Sequence, residues 1–534
     1  MAHHLHIQRI SHGILGIFVV ITVCLLNLAV AEWLNHGGDL SNTRSAREEK
    51  LIGPSTVGNL RLRWKFFAGK DITATPAVAD AVVYFPSWNG NLYAVNAFDG
   101  SLVWKQNLSE LTGLKGVGTV ANVTLSRSTP TIAGKLLIVP IYGPGVVIAV
   151  NRSNGRLVWS TQLDPHPLAV ITTSGPAYMG AFYVGVSSTE EGLPAAKCCT
   201  FRGSLVKLNI LSGEILWQTY TLPDNGGELG GYAGASIWGS SPAIDPKRRL
   251  AYAATGNLYT APAKVQECQA RQNNQTTPPT APDQCIGPDV NFNSIIAFET
   301  ETGRIRWARQ LGGYDVWYFA CLVPNSTDCP TGPNVDADFG EAPMLITITT
   351  NGTERDIAVA VQKSGFAWAV DRDSGDIVWF RLAGPGSIEG GGTWGAATDG
   401  KRVYTNIANG DRNNFTLAPS TQTTTAGAWV ALDACSGEIL WSTANPSNEI
   451  APASVSVANG VIFAGSVAPE GPVYAMDAET GKILWSYNSG ATVYGGISIS
   501  YGCIYHGNGY KLGLLAPLHP TWTGGTDLYA LCVK

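Results

Sequence analysis

Six short stretches of this 534-residue chain carry side chains that can do chemistry. Val186-Ser187-Ser188-Thr189-Glu190-Glu191 and Ala254-Thr255-Gly256-Asn257 each end an apolar, strand-like run in an oxygen-bearing side chain. Such oxygens suit a hard cation, and an amide supplies a ligand without adding charge. Tyr314-Asp315-Val316-Trp317 offers a carboxylate among aromatics, and a carboxylate in a cleft can take a proton from a hydroxyl. Lys363, in Gln362-Lys363-Ser364-Gly365, is a cation that could stabilise developing negative charge. Trp238, in Ile237-Trp238-Gly239, is a flat indole on which a planar molecule gains burial and stacking. Cys198 and Cys199 are adjacent. Their Cα atoms would lie ~3.8 Å apart across a trans peptide, below the ~4.4–6.8 Å usual for a disulfide. Read alone, each stretch is also compatible with a turn, a solvated acidic face or a core residue. Other chemistries lack their residues: there is no P-loop, no dinucleotide fingerprint, no Gly-x-Ser-x-Gly elbow, no His cluster and no Cys-x-x-Cys-His for covalent haem.

A repeat must position these residues. Leu92-Tyr93-Ala94-Val95-Asn96 leads to Gly100 and Trp104, and Val147 to Asn151 leads to Gly155 and Trp159. The same pattern gives Gly213/Trp217, Gly303/Trp307, Gly375/Trp379, Gly437/Trp441 and Gly481/Trp485, with the Trp always four residues after the Gly. An alternating strand, a turn with Gly where φ > 0 is needed, and a second strand carrying the Trp make a hairpin. All-β repeats of this kind mean a propeller or a solenoid. The chain ends favour the propeller. The last copy, Asp527 to Cys532, stops before its Gly and Trp, and the missing strand stands at the other end as Leu60-Arg61-Leu62-Arg63-Trp64. Pairing the two closes a ring of eight blades and removes two sheet edges. The recurring Trp residues are then expected between neighbouring blades, and Trp238, off the repeat spacing, is not one of them.

The repeat on eight blades resembles that of the pyrroloquinoline quinone (PQQ) dehydrogenases, most nearly their polyvinyl-alcohol-dehydrogenase-like branch. The likeness starts at Trp33, continues through Asp39-Leu40-Ser41-Asn42-Thr43-Arg44 and Leu60–Trp64, and ends with the truncated copy. It implies an alcohol-oxidising enzyme that uses PQQ and Ca²⁺. By this resemblance Asn257, Glu191 (Glu190 being one residue away) and Asp315 hold Ca²⁺. Asp315 is also the general base, and Trp238 lies under the quinone ring. Lys363 faces the quinone oxygens, Arg127 and Thr173 hold the cofactor's carboxylates, and the Cys198–Cys199 pair covers the ring. Two departures stand out: Leu258 follows Asn257 where alcohol dehydrogenases of the family often have Pro, and Tyr318 stands where a second Asp is frequent. The alternative is a non-catalytic propeller acting as a binding or scaffold protein.

Composition agrees with strands and turns. There are 61 Gly and 16 Trp, and charged residues reach only 14% against a usual ~25%. A net charge of −5 without a basic block makes nucleic acid an unsuitable partner. Arg9, the apolar run from Ile14 to Leu28, and Ala29-Val30-Ala31 read as a signal peptide over residues 1–31. The expected product is a secreted or periplasmic propeller domain, 32–534, with an insertion near 261–290 and no further membrane span. Its substrate is an alcohol or polyol and its electron acceptor is external. Cys268/Cys285 and Cys321/Cys329 sit in loops as disulfides of exported proteins do, while the pairing of Cys435, Cys503 and Cys532 stays open. Sequons at Asn107, Asn122, Asn151, Asn274, Asn325, Asn351 and Asn414 permit glycosylation.

Overall fold

The computed structural model describes residues 32–116, 123–272, 283–512 and 516–533. The expected signal peptide at 1–31, the sequons Asn122 and Asn274, and part of the insertion expected near 261–290 lie outside the described residues. Among the described residues eight antiparallel sheets of four or five strands follow one another along the chain, with two short two-stranded ribbons beside them. Blade 1 begins at Ala77, and blades 2 to 7 begin at Thr131, Ala169, Ala243, Met344, Ala397 and Ser456. Blade 8 combines Ser498–Ser500, Cys503–Gly507 and Asp527–Cys532 with the amino-terminal strand Arg61–Phe67, which pairs antiparallel with Asp527–Cys532. The ring is thus closed by its two ends, as the truncated last copy predicts. A disulfide joins Cys503 to Cys532 across facing strands of this blade. Cys268–Cys285 and Cys321–Cys329 are also bonded, and Cys435 is a free, exposed thiol. Among the described residues no helix is long and apolar enough to cross a membrane.

The Gly–Trp repeat is the contact between blades. Trp64, Trp104, Trp159, Trp217, Trp307, Trp379 and Trp441 lie against Gly100, Gly155, Gly213, Gly303, Gly375, Gly437 and Gly481 of the following blade. A Cβ on any of these glycines would approach the indole to 2.5–2.7 Å. Each indole N–H also donates to a backbone carbonyl of that blade, for example Trp379 to Ala434 at 3.0 Å. Trp485 differs, since the copy after it is the truncated one; it stacks on Tyr487 instead.

The innermost strands would leave backbone groups facing the axis without partners. The segment after Trp33 meets them. Trp33 exchanges hydrogen bonds with Val78, and Leu34 accepts from Ile132. Leu40, Ser41 and Thr43 then accept from Ile244, Leu345 and Thr398, and Arg44 accepts from Val457. One strap therefore touches the inner strands of blades 1, 2, 4, 5, 6 and 7. Arg44, fully buried, fastens it through Nε to Val455 O (2.7 Å), Nη1 to His36 O (2.6 Å) and Nη2 to Ser456 Oγ (3.0 Å).

Candidate active site

Strand direction alternates within a blade, so the connections that enter the innermost strand and those that leave the second strand lie at one end of the ring. A cavity of about 980 Å³, counting its open mouth, lies there. Residues entering innermost strands supply Arg127, Thr172, Trp238, Asp336, Asp338, Trp394 and Tyr494. Connections leaving second strands supply Tyr142, Glu191, Asn257, Lys363 and Tyr510. Phe319, Leu322, Ile388 and Leu518 make its wall apolar elsewhere. An apolar wall with a few convergent polar groups is the mixture of a small-molecule site.

Lys363 is the centre of one polar group. Its Nζ lies 3.0 and 3.1 Å from the two oxygens of Asp336 and 2.9 Å from Asp338 Oδ1. Burial alone would lower the Lys363 pKa, but the two carboxylates outweigh it and hold the ammonium above its usual value. Trp238 Nε1 donates to Asp338 Oδ2 at 2.6 Å, and Lys363 Nζ stands 5.1 Å from the Trp238 ring centre. Glu191 lines the same wall. Burial, with Asp338 adding to it against the pull of Lys363, pushes its carboxyl up to about 7. Asn257 donates both amide hydrogens, to Leu258 O (2.8 Å) and Trp317 O (2.7 Å), which leaves its side-chain oxygen as the polar atom it offers to the cavity.

Arg127 forms a second group. Its guanidinium lies 4.4 Å from the Trp394 ring centre and 5.8 Å from that of Tyr510. Tyr510 stacks on Tyr494 at 4.1 Å, and Tyr494 Oη accepts from Trp394 Nε1 at 2.6 Å. Among the described residues no carboxylate forms a salt bridge with Arg127. Trp238 meets Trp394 edge-on at 5.2 Å.

Trp238, Lys363, Arg127, Glu191 and Asn257 therefore share one cavity. The two glutamates differ in their hydrogen bonds. Glu190 is committed to the backbone N–H groups of Thr200 and Phe201, at 2.8–2.9 Å, whereas Glu191 faces the cavity. Four expected residues are not among the described residues that line it. Thr173 is buried and donates to Gly185 O at 3.0 Å, and its neighbour Thr172 reaches the cavity instead. Cys198 and Cys199 are bonded to each other but lie in an apolar cluster with Phe201 and Tyr259, of which Tyr259 reaches the cavity.

Asp315 is the fourth, and it is fully buried. Its Oδ1 accepts from Asp336 N at 3.1 Å, and its Oδ2 accepts from Ala337 N at 2.7 Å and from Asn293 Nδ2 at 3.0 Å. Burial raises its carboxyl to about 6 against these hydrogen bonds. Asp315 is thus enclosed and off the cavity wall, which is not where a base for a substrate hydroxyl is expected to stand. The aspartates at the wall are Asp336 and Asp338, beside Glu191 and Glu389, and neither aspartate belongs to a motif of the sequence.

A flat polyanionic quinone with a hard cation fits these residues. Arg127 is a half-buried cation with no carboxylate partner among the described residues, and Glu191 and Asp338 are neighbouring carboxylates whose mutual repulsion a cation would relieve. Among the described residues, though, no three His, Cys, Asp or Glu side chains converge into a ready metal cage.

Comparison with known proteins gives the family. A profile described as outer membrane protein assembly factor BamB, a family of PQQ-type repeats, matches residues 56–309 and 363–507. A polyvinyl alcohol dehydrogenase of a Pseudomonas species is 30% identical over 87% of this chain and 68% of that protein. A second, from Sphingopyxis sp. strain 113P3, is 27% identical over 90% and 73%. Among solved structures, quinohemoprotein alcohol dehydrogenase ADH-IIG of Pseudomonas putida superposes with a TM-score of 0.71 at 18% identity, over 94% of this chain and 80% of that one. The repeat, the closed eight-bladed ring and these relatives agree: the chain belongs to the PQQ quinoprotein dehydrogenases, in their polyvinyl-alcohol-dehydrogenase-like branch, and is an alcohol-dehydrogenase-like oxidoreductase.

Proposed function

We propose that the protein is a PQQ- and Ca²⁺-dependent dehydrogenase that oxidises alcohol groups of small or polymeric alcohols or sugars. One observation carries this reading: a single cavity holds both a half-buried guanidinium, Arg127, with no carboxylate partner among the described residues, and a carboxylate–amide group, Glu191, Asn257 and Asp338. When bound, the quinone would accept hydride from the alcohol carbon, and the cation beside it would polarise its carbonyl. Glu191, Asn257 and Asp338 would hold the cation. Arg127 would bind cofactor carboxylates through its fork, and Trp238 would support the ring. Asp336 would take the proton from the substrate hydroxyl. It lies at the wall with both oxygens on Lys363, whereas Asp338 is shared with Trp238 and Lys363. Lys363, kept protonated, would stabilise negative charge on the reduced cofactor. The apolar collar of Phe319, Leu322, Ile388 and Leu518 would limit water around the reacting atoms.

Electrons would leave to an external acceptor. Four disulfides and the expected signal at 1–31 support a secreted or periplasmic location, with the sequons open to glycosylation. Reconstitution with PQQ and Ca²⁺, followed by dye reduction with primary, secondary and polymeric alcohols, tests the reading. Turnover that needs both additions is expected. No quinone binding and no turnover on any alcohol would leave a non-catalytic propeller.

A further inference from the structure

The stretch Asp315-Val316-Trp317 touches both halves of the polar group without its carboxylate entering the cavity. Trp317 N donates to Leu258 O at 2.8 Å, and Leu258 N donates to Asp315 O at 3.2 Å. Trp317 O accepts from Asn257 Nδ2 at 2.7 Å, which orients the Asn257 side chain. On its other side the Asp315 carboxylate accepts from the backbone N–H groups of Asp336 and Ala337. Val316 N donates to Pro333 O at 3.2 Å, and Val316 O accepts from Asn334 Nδ2 at 2.5 Å. The loop braced by Cys321–Cys329 is thereby closed at its base, where the chain returns toward Asp336 and Asp338. Asp336 itself has φ 52°, a left-handed conformation that an ordinary residue adopts at a cost and that needs outside support.

We propose that Asp315 is a positioning residue: with Asn293 it clamps the backbone of Asp336-Ala337, and the same tripeptide aims Asn257, so that one bracket sets the cation-binding and proton-accepting groups together. The assignment of those groups rests on the function proposed above; the clamp itself does not. Partners that orient ligating side chains typically contribute about 10–100-fold in metal affinity or activity.

The test uses the full-length protein and the variants Asp315→Asn, Asn293→Ala and the exchanged pair D315N/N293D. An Asn at 315 must turn its amide N–H₂ toward one of the donors now satisfied by the carboxylate. Hydrogen exchange at the Asp336 and Ala337 amides is read without cofactor, and faster exchange in D315N than in wild type is expected. Calorimetric titration with Ca²⁺ alone is expected to show binding weakened about 10–100-fold, with kcat of the reconstituted enzyme falling over the same range at little change in KM. N293A removes one of three hydrogen bonds and should give a smaller effect. The exchanged pair restores only the 293–315 contact and should not recover Ca²⁺ affinity. Unchanged exchange at 336–337 would overturn the clamp. So would unchanged Ca²⁺ affinity with a kcat loss of a thousandfold or more, which would mark Asp315 as the base itself. If wild type binds neither Ca²⁺ nor PQQ, the proposed function fails, and the exchange data still decide the clamp. Should D315N not fold, N293A carries the same readouts.

Discussion

The Gly–Trp contact makes a quantitative claim about the ring. Gly437 has φ +71°, and a Cβ there would meet Trp379 Cε3 at 2.5 Å and Cδ2 at 2.8 Å. Gly437→Ala therefore carries two costs. Placing Ala in the left-handed region costs about 1–2 kcal/mol. Forcing a methyl into the packed indole adds about 1–3 kcal/mol. Gly180 separates the two: it has φ +74° with nothing within 4 Å, so Gly180→Ala pays only the backbone cost. Urea unfolding should therefore destabilise G437A by about 2–5 kcal/mol and G180A by about 1–2 kcal/mol. A cycle with Trp379→Ala isolates the contact. W379A will itself cost about 3–5 kcal/mol, but in its presence G437A should cost no more than G180A, a coupling of about 1–3 kcal/mol. Equal losses in G437A and G180A, or a G437A loss that W379A leaves unchanged, would refute the blade-contact role of the repeat.

Other expectations follow from buried charge. Arg127→Ala should weaken PQQ binding about 10–100-fold in an absorbance titration while the cofactor-free protein melts no lower than wild type, since the cation removed has no carboxylate partner among the described residues. A lower melting temperature with unchanged quinone affinity would make Arg127 structural. His36 is held neutral, its pKa lowered to about 3 by burial and then by the charge of Arg44. Its contribution is thus complete above its ordinary value of 6.5 and lost as pH falls toward 3. In that window the stability gap between wild type and His36→Gln should shrink by about 1.4 kcal/mol per pH unit; a constant gap would contradict the assignment. Arg44→Met should destabilise by about 3 kcal/mol or more in urea, because Val455 O and His36 O lose their donor, and a loss under about 1 kcal/mol would deny the strap its anchoring role.

The ring was legible because its signal is periodic: a Gly and a Trp at fixed spacing report a contact made seven times. The site was only partly legible, because it is assembled from connections whose lengths vary. Asp336 and Asp338 follow a long insertion after Trp317, so a motif read locally stops at Asp315. A positional rule would have found them. They precede the first strand of blade 5 as Trp238 precedes that of blade 4, Trp394 that of blade 6 and Tyr494 that of blade 8. Thr173 and Thr172 differ by one residue, which in extended chain reverses the side chain's direction. The strap shows the opposite limit: Trp33 and Arg44 were visible as part of a resemblance, but their contacts lie hundreds of residues away, in blades the local sequence does not mention.

Repeat and site use different residues. None of the seven indoles between blades lines the cavity, and neither do their glycine partners. The cavity instead gathers Glu191, Asp336 and Asp338 near one ammonium, with Glu389 also on its wall and Arg127 apart on its aromatic platform. Such a group weakens a folded protein, because enclosed charges that are incompletely matched each cost several kcal/mol. Apolar residues of similar size would make a more stable ring. The blades do not need this cluster, since their contacts are complete without it. A purely structural propeller would gain by losing it, whereas a cavity that takes up a cation and a carboxylate-bearing quinone turns the same mismatch into binding energy.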